Sequence, residues 1–147
     1  MKFIVSPVTS ASVTVDGKTN EINSGLLIYM GVSKDDLDSW KKKADKFIDK
    51  IGKIKIIHNL ETDKIESSLE STNGEILLIS NFTLYGRNKK GSSIDFCHSA
   101  PFKEAQKIYD YITEKLREKY NVKTGEFGGM MTIKSENTGP LNYIFEY

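Results

Sequence analysis

Apolar residues in this chain recur at two spacings, and each spacing predicts a different kind of element. Short segments of alternating or consecutive apolar residues predict β-strands over residues 2–8, 11–16, 25–32, 53–58, 130–135 and 141–146. A further short segment, residues 75–84, follows the turn sequence Asn73-Gly74 and contains four consecutive apolar residues, Ile76 to Ile79. That segment is therefore predicted to be a strand buried on both faces.

Two longer segments have helical spacing. The first begins at Ser33, a hydroxyl cap followed by acidic residues, and ends at Gly52; its predicted buried stripe is Leu37, Trp40, Ala44, Phe47, Ile48 and Ile51. The second begins at Pro101, and its predicted stripe is Phe102, Ala105, Tyr109, Ile112 and Leu116. These elements predict a single α/β or α+β domain over residues 1–147. Strands should pack on strands on one side, because two helices cannot cover both faces of the sheet.

Composition narrows the class of protein. The chain has 147 residues and a formal net charge of +1, from 21 basic and 20 acidic side chains, so no global field attracts nucleic acid, although a local contact is allowed. The single cysteine, Cys97, excludes an internal disulfide and suits a reducing compartment. The sequence contains neither a membrane-spanning apolar run nor a secretion signal, so we expect a cytoplasmic protein with no membrane partner.

Several familiar sites are excluded by the residues available. Cys97, His58 and His98 are too few ligands, at no recognised spacing, for a structural zinc site. Cys97 and His98 are adjacent, so in an extended segment they point to opposite faces; we expect a buried thiol and a surface imidazole. Residues 86–93 have the glycine spacing of a phosphate loop, but Ser92 stands where that loop needs lysine.

Basic residues form two groups. One is a row on the polar face of the first helix, formed by Lys41, Lys42, Lys43, Lys46 and Lys50. A solvated helix face is the favoured interpretation of this row, and a contact with a phosphate backbone is the alternative. The other group follows the buried strand, where Arg87, Lys89 and Lys90 would meet a phosphate-bearing ligand.

Two polar stretches are candidate ligand sites. Ser80, Asn81 and Thr83 come directly after the buried strand, which would hold them rigidly, although such groups also commonly bind neighbouring backbone. The stretch from Asn137 to Pro140 separates two predicted strands and would ordinarily be a hairpin turn. A cis Gly139–Pro140 bond would turn the neighbouring carbonyls the same way, as a rigid pair of acceptors.

Five motifs, in order along almost the whole chain, resemble those of the D-aminoacyl-tRNA deacylases. They are Val8-Thr9-Ser10-Ala11-Ser12-Val13, Gly25-Leu26-Leu27 with Gly31-Val32, Ser80-Asn81-Phe82-Thr83-Leu84, Thr124-Gly125-Glu126-Phe127-Gly128, and Asn137-Thr138-Gly139-Pro140. Five ordered matches are far more specific than any one of them.

The resemblance implies an activity, a fold and an assembly. The activity is hydrolysis of the ester that joins a D-amino acid, or glycine mischarged on tRNA(Ala), to the terminal ribose of tRNA. The fold is a β-barrel-like core of mixed, mostly antiparallel sheets with two helices outside, in a homodimer whose active sites lie at the subunit interface. The resemblance also implies no metal and no cofactor, because catalysis would use backbone groups and the substrate's own 2′-hydroxyl.

The site residues also follow from the resemblance. The catalytic group would be Ser80, Asn81 and Thr83, with the backbone of Phe82 and Thr83. The substrate-binding group would be Phe82, Phe127, Met131, Asn137, Gly139 and Pro140. In each subunit Gly139 and Pro140 would enter the other subunit's pocket as a cis dipeptide whose carbonyls exclude L-amino acids, and the partner would be the 3′ end of aminoacyl-tRNA.

Four positions depart from the family pattern, and all lie in or near the expected site. Asn81 replaces the usual glutamine, Asn142 replaces threonine, Pro7 replaces a basic residue that supports the Gly-Pro dipeptide, and Ser93-Ile94 replaces Arg-Pro. Two alternatives therefore stay open. One is a related deacylase of relaxed chirality that acts on L-alanyl-tRNA, and the other is a non-catalytic nucleic-acid-binding dimer of the same fold.

Overall fold

The computed structural model describes all residues from Met1 to Tyr147 and contains nine strands and three helices. The strands are β1 (Lys2–Val15), β2 (Lys18–Ile22), β3 (Gly25–Gly31), β4 (Ile57–Asn59), β5 (Lys64–Ser67), β6 (Glu75–Ser80), β7 (Val122–Thr124), β8 (Thr132–Asn137) and β9 (Tyr143–Glu146). The helices are α1 (Trp40–Ile51), α2 (Leu69–Thr72) and α3 (Phe102–Arg117), and short 3₁₀ turns cover Lys34–Asp36 and Phe82–Tyr85.

Strand β1 changes neighbours along its length, and this shapes the sheet. Its first half pairs antiparallel with β3 and β9, its second half pairs with β2 and β8, and the register shifts between Val8 and Ser10. From β3 the sheet continues to β6 and β7, both in parallel pairing. The Asn20 amide on β2 donates to the Thr124 carbonyl on β7 at 2.7 Å, so the two ends of the sheet meet. The predicted α/β class with a barrel-like core is confirmed.

The core lies on both sides of this sheet. Ile76 to Ile79 are each at most 1% exposed, which confirms that this part of the predicted strand is buried on both faces. The strand ends at Ser80 and a 3₁₀ turn follows, so the predicted extension of the strand to Leu84 was wrong. On one side the sheet packs against helices, where the Phe3 and Phe47 rings stack at 3.7 Å. On the other side the buried residues, which include Val13 and Leu77, all come from strands, as expected from the small number of helices.

Helix α1 buries the predicted side chains Ala44, Phe47, Ile48 and Ile51, but it starts at Trp40, so the predicted start at Ser33 is wrong. Residues 34–36 form a separate 3₁₀ turn. The Asp36 carboxylate accepts hydrogen bonds from the Ser33 N–H at 2.8 Å and from the Met1 ammonium at 2.5 Å. These bonds hold Asp36 inside the protein, and the chain bends after it before the helix begins.

The prediction for residues 53–58 is also wrong. The N–H groups of Lys53 and Ile54 both donate to the Lys50 carbonyl, so the end of α1 continues as a turn and no strand forms before Ile57. Strand β4 then pairs only with β5, in a separate two-stranded hairpin. The segment expected to be a polar connection, residues 59–73, contains β5 and the single-turn helix α2, whose start is capped by the Ser68 hydroxyl.

Helix α3 begins at Phe102, with Pro101 as its cap, and buries Tyr109, Ile112 and Leu116 as predicted. Phe102, by contrast, is 57% exposed, so its place in the core stripe was wrong. The first turn of α3 lies at the border of a surface cavity, and Ile108 contributes to the core. None of the helices is both long and apolar enough to cross a membrane.

Candidate functional site

A surface cavity of about 580 Å³ lies where the parallel strands β3 and β6 end. The end of a parallel strand pair is a common position for ligand sites in α/β proteins. The cavity brings together six of the residues expected at the site, namely Ser80, Asn81, Phe82, Thr83, Phe127 and Met131. Most of its lining is apolar and none of it is charged, so it suits a neutral, partly aromatic ligand.

The chain turns sharply at this cavity, and side-chain hydrogen bonds stabilise the turn. The Asn81 side-chain oxygen accepts from the Thr83 N–H at 3.0 Å and from the Thr83 hydroxyl at 2.5 Å, which caps the 3₁₀ turn Phe82–Tyr85. From the opposite side, the Ser99 hydroxyl donates to the Phe82 carbonyl at 3.1 Å. The turn is therefore fixed at both of its first two residues, which is the rigidity that a binding or catalytic site needs.

An aromatic wall forms the other side of the cavity. The Phe127 ring lies 5.0 Å from the Phe102 ring, edge to face, and 5.4 Å from the Tyr109 ring. Gly128 has a positive φ of 76°, and a Cβ there would lie 2.5 Å from the Phe102 ring, so glycine allows the close approach. The Tyr109 hydroxyl donates to the Leu78 carbonyl at 2.7 Å, which ties the wall to β6.

The cavity also includes residues that the sequence analysis missed, among them Tyr29, Ser99 and Phe102. Tyr29 has the only side-chain polar atom capable of strong hydrogen bonding in the predicted strand 25–32, and this was the signal that could have revealed it. Burial raises the pKa of Tyr29 and of Tyr109, so both phenols stay protonated and neutral near neutral pH. These two tyrosines are the only ionisable side chains in the lining.

Three of the expected substrate-binding residues do not line this cavity. Asn137 ends β8, Gly139 and Pro140 lie in the exposed connection between β8 and β9, and the Gly139–Pro140 bond is cis. The Pro7 carbonyl accepts a hydrogen bond from the Thr138 N–H at 3.2 Å, so the connection is docked on β1.

Two of the departures from the family pattern make contacts beside this connection. Pro7 contributes its backbone carbonyl, which also accepts from the Thr138 hydroxyl at 3.4 Å. The Asn142 side-chain oxygen accepts from the Ser6 hydroxyl at 2.5 Å. The connection is thus attached to β1 through a main-chain acceptor at Pro7 and a side-chain pair at Asn142.

Cys97 is exposed, so the expectation of a buried thiol was wrong. Its sulfur donates to the Asp95 carboxylate at 3.1 Å and lies 3.8 Å from the Lys89 ammonium. The segment turns back on itself through backbone hydrogen bonds between Arg87 and Asp95, which places Cys97 on an outer loop and not in a strand. Nowhere do three or more His, Cys, Asp or Glu side chains gather as a metal site would require.

Comparison with known proteins assigns the family. The family model of D-Tyr-tRNA(Tyr) deacylase matches residues 4–146. The chain belongs to this family. It is 38% identical to a D-aminoacyl-tRNA deacylase of Thermosipho melanesiensis, over 99% of this chain and 97% of the relative. It is 39% identical to a D-aminoacyl-tRNA deacylase of Bacillus velezensis, over 99% of this chain and 98% of the relative.

A solved structure supports the same fold assignment. The structure of a c-Myc DNA Unwinding Element Binding Protein superposes with a TM-score of 0.88 and 31% identity. The superposition covers 100% of this chain and 99% of the other. Family membership and the barrel-like architecture therefore agree.

The cap on the 3₁₀ turn can be tested by mutation. In Asn81→Ala the Thr83 N–H and hydroxyl lose their acceptor, so we expect the rate of D-aminoacyl ester hydrolysis to fall about fivefold, since loss of such a cap costs about 1 kcal/mol of local order. Asn59→Ala is the matched control, because Asn59 makes the same kind of cap, to the Glu61 N–H, in the distant β4–β5 hairpin. Full activity in Asn81→Ala would show that the capped geometry is dispensable.

Proposed function

We propose that this protein hydrolyses the ester bond of D-aminoacyl-tRNA and releases the free D-amino acid and tRNA. The observation that carries the proposal is the uncharged cavity built on Ser80 to Thr83 in a member of the D-Tyr-tRNA(Tyr) deacylase family. The residues around the cavity suit a terminal nucleoside that carries an ester, because aromatic rings can pack on a base while hydroxyl and amide groups bind sugar and ester oxygens.

The chemistry proposed for this cavity needs no protein nucleophile. No histidine, cysteine, carboxylate or lysine lines it, so no side chain there can act as a general base near neutral pH. The 2′-hydroxyl of the terminal ribose would assist attack by water on the ester carbonyl, which is already activated. The protein's part is then to stabilise the negative charge that develops on the carbonyl oxygen of the ester.

The available donors narrow the catalytic roles. The Thr83 N–H already donates to the Asn81 side chain. The Phe82 N–H, by contrast, donates to no backbone carbonyl in the loops. We therefore propose that the Phe82 N–H and the side-chain amide nitrogen of Asn81 donate hydrogen bonds to the carbonyl oxygen of the ester. Thr83 orients Asn81 through its hydroxyl, and Ser80 contacts the substrate from the end of β6.

Chiral selection is proposed to come from a second copy of the chain. Asn137, Gly139 and Pro140 are exposed and lie outside the cavity of their own subunit, as they would in a homodimer where each copy completes the other's site. In that arrangement the carbonyls beside Gly139 and Pro140 face the α-carbon substituent and exclude L-amino acids. Phe82, Phe127 and Met131 hold the terminal adenosine.

Three finer points belong to the same proposal. Glycine esterified to tRNA(Ala) is a second substrate, because glycine has no side chain for the selector to exclude. Residues 1–147 act as one domain, in the cytoplasm where tRNAs are charged. The reaction needs no metal or other cofactor.

The direct test is release of amino acid from matched D-tyrosyl- and L-tyrosyl-tRNA, with EDTA present. We expect rapid hydrolysis of the D ester and at least a hundredfold slower hydrolysis of the L ester, which corresponds to about 2.7 kcal/mol of discrimination. Equal rates on the two esters would contradict chiral selection. Hydrolysis of L-alanyl-tRNA would identify the deacylase of relaxed chirality.

A second candidate function is nucleic-acid binding without hydrolysis. It is favoured by one observation, the 31% identity and close superposition with a structure named as a DNA unwinding element binding protein. This function predicts tight binding of tRNA or DNA with no turnover of any aminoacyl ester. Binding measured by fluorescence anisotropy, beside the hydrolysis assay, separates the two functions.

A further inference from the structure

We propose that Arg87 and His98 form a binding subsite for the phosphodiester group that joins the terminal nucleoside of the tRNA to the preceding nucleotide. The inference rests on the proposed function, since it concerns the part of the same substrate that lies outside the cavity. It assigns a role to two side chains that do not line the cavity themselves.

The two side chains are already in contact. An Arg87 guanidinium nitrogen lies 3.1 Å from the His98 Nε2. Because arginine can only donate, the His98 Nε2 is the acceptor, and the neutral imidazole carries its proton on Nδ1. Such a pair keeps four other guanidinium N–H donors and one imidazole donor for an external acceptor, and arginine forms particularly favourable paired hydrogen bonds with phosphate.

The backbone holds both residues in place. Arg87 and Asp95 exchange two backbone hydrogen bonds, at 2.9 and 2.8 Å, so the segment that carries Arg87 is a short antiparallel pair. The His98 carbonyl accepts from the Lys34 N–H at 3.0 Å, beside the isolated bridge between Ser33 and Ser99. The backbone at both residues is therefore fixed before an anion binds, which lowers the entropic cost of binding.

No protein carboxylate neutralises the Arg87 guanidinium. The nearest acidic residue in sequence, Asp95, is occupied by Lys89 at 2.8 Å and by the backbone N–H of Cys97 at 2.8 Å. The hydrogen bond from Lys89 is the largest of the effects that hold the pKa of Asp95 below its usual range. Lys89 is thus committed to an internal ion pair, while the exposed Arg87 keeps its charge for a ligand.

The position of the pair in the chain favours this ligand. His98 immediately precedes Ser99, which lines the cavity and binds the Phe82 carbonyl, and Arg87 directly follows the turn and Gly86. Both residues therefore flank the segment proposed to hold the ester. A nucleoside placed in an uncharged cavity leaves its 5′-phosphate outside, and the tRNA chain must continue from that point. The adjacent uncompensated guanidinium is suited to receive it.

The test compares two minimal substrates that differ only in the phosphate, D-tyrosyl-adenosine and D-tyrosyl-adenosine 5′-monophosphate. We expect the wild-type protein to hydrolyse the phosphate-bearing ester with the higher kcat/KM. The variant Arg87→Gln should lose about tenfold on that ester alone, mainly through KM, because a charge-assisted hydrogen bond is removed. His98→Asn should give a smaller loss on the same ester.

Lys64→Gln is the matched control, since Lys64 is an exposed cation in the β4–β5 hairpin, outside the proposed subsite, and its loss should leave both rates unchanged. Equal loss on the two esters in Arg87→Gln, or no loss on either, would overturn the subsite. Calorimetric binding of adenosine 5′-monophosphate against adenosine gives a second readout that needs no hydrolysis. A phosphate preference that Arg87→Gln abolishes supports the subsite even if the protein hydrolyses neither ester, and the absence of that preference in wild type overturns it.

Discussion

Asp36→Asn is expected to lower the free energy of unfolding by about 3–5 kcal/mol, because it would leave the buried Met1 ammonium and the partly buried Lys43 ammonium without their carboxylate partner. The Asp36 side chain is 2% exposed and accepts from the Met1 ammonium at 2.5 Å and from the Lys43 ammonium at 2.6 Å. It also accepts from the Ser33 hydroxyl at 2.9 Å. An asparagine has one oxygen for these donors, and its own N–H₂ group would face them. Equilibrium urea unfolding measures the difference.

Asp35→Asn is the matched control, since Asp35 lies in the same 3₁₀ turn but is exposed. Removing its charge should change the free energy of unfolding by less than about 0.5 kcal/mol. A similar, small effect in both variants would mean that the buried cluster contributes little to stability.

The contribution of Asp36 should also depend on pH. Burial by itself would raise the pKa of Asp36, but hydrogen bonds from Lys43, the Met1 ammonium and Ser33 hold it below its usual value of 3.8. A lowered pKa in the folded state means that unfolding takes up a proton, so the stabilisation is complete above pH 3.8 and is lost as the pH falls through the folded-state value. The difference between wild type and Asp36→Asn should therefore shrink as the pH falls below about 4.

Gly139→Ala is expected to lower kcat/KM for D-aminoacyl-tRNA about a hundredfold while lowering the melting temperature by only about 5 °C, a loss similar to that of a strained exposed turn. Gly139 has a φ of 136°, a region that L side chains rarely adopt, and a Cβ there would overlap the backbone nitrogen of Leu141. The connection must shift to accept the methyl group, and a displacement of about 1 Å in a positioning element can cost about 100-fold in rate. Because the connection is exposed, the core should not respond.

Gly17→Ala controls for backbone strain alone. Gly17 also has a positive φ, 78°, in the turn between β1 and β2, but a Cβ there would meet nothing within 4 Å. This variant should lose about 1 kcal/mol of stability and no activity. Unchanged activity in Gly139→Ala would contradict the proposed role of the connection in substrate selection.

Prediction of the fold succeeded where local pattern and burial agree. A continuous apolar run predicted the buried strand at residues 76–79, because a strand inside a sheet removes all of these side chains from water. Helical spacing predicted the buried face of α1, because only a helix places its apolar residues on one side; these residues are Ala44, Phe47, Ile48 and Ile51. Prediction failed at residues 34–36, where the outcome depends on a distant partner, and at residues 53–58, where the end of α1 continues as a turn. The Asp36 carboxylate accepts a hydrogen bond from the Met1 ammonium, 35 residues away in the chain. After Gly52 the chain forms a turn, and only from Ile57 does it pair with β5.

The candidate site divides in the same way. The sequence by itself determined the family, through ordered motifs, and the identities of residues such as Asn81 and Phe127, because the motifs are local. Only the tertiary structure decided that Tyr29 and Phe102 belong to the same cavity as Thr83, and that Cys97 is exposed. The physical reason is that these relations join elements far apart in the chain. Their distances are set by how β3, β6 and α3 pack together, and no local pattern encodes that packing.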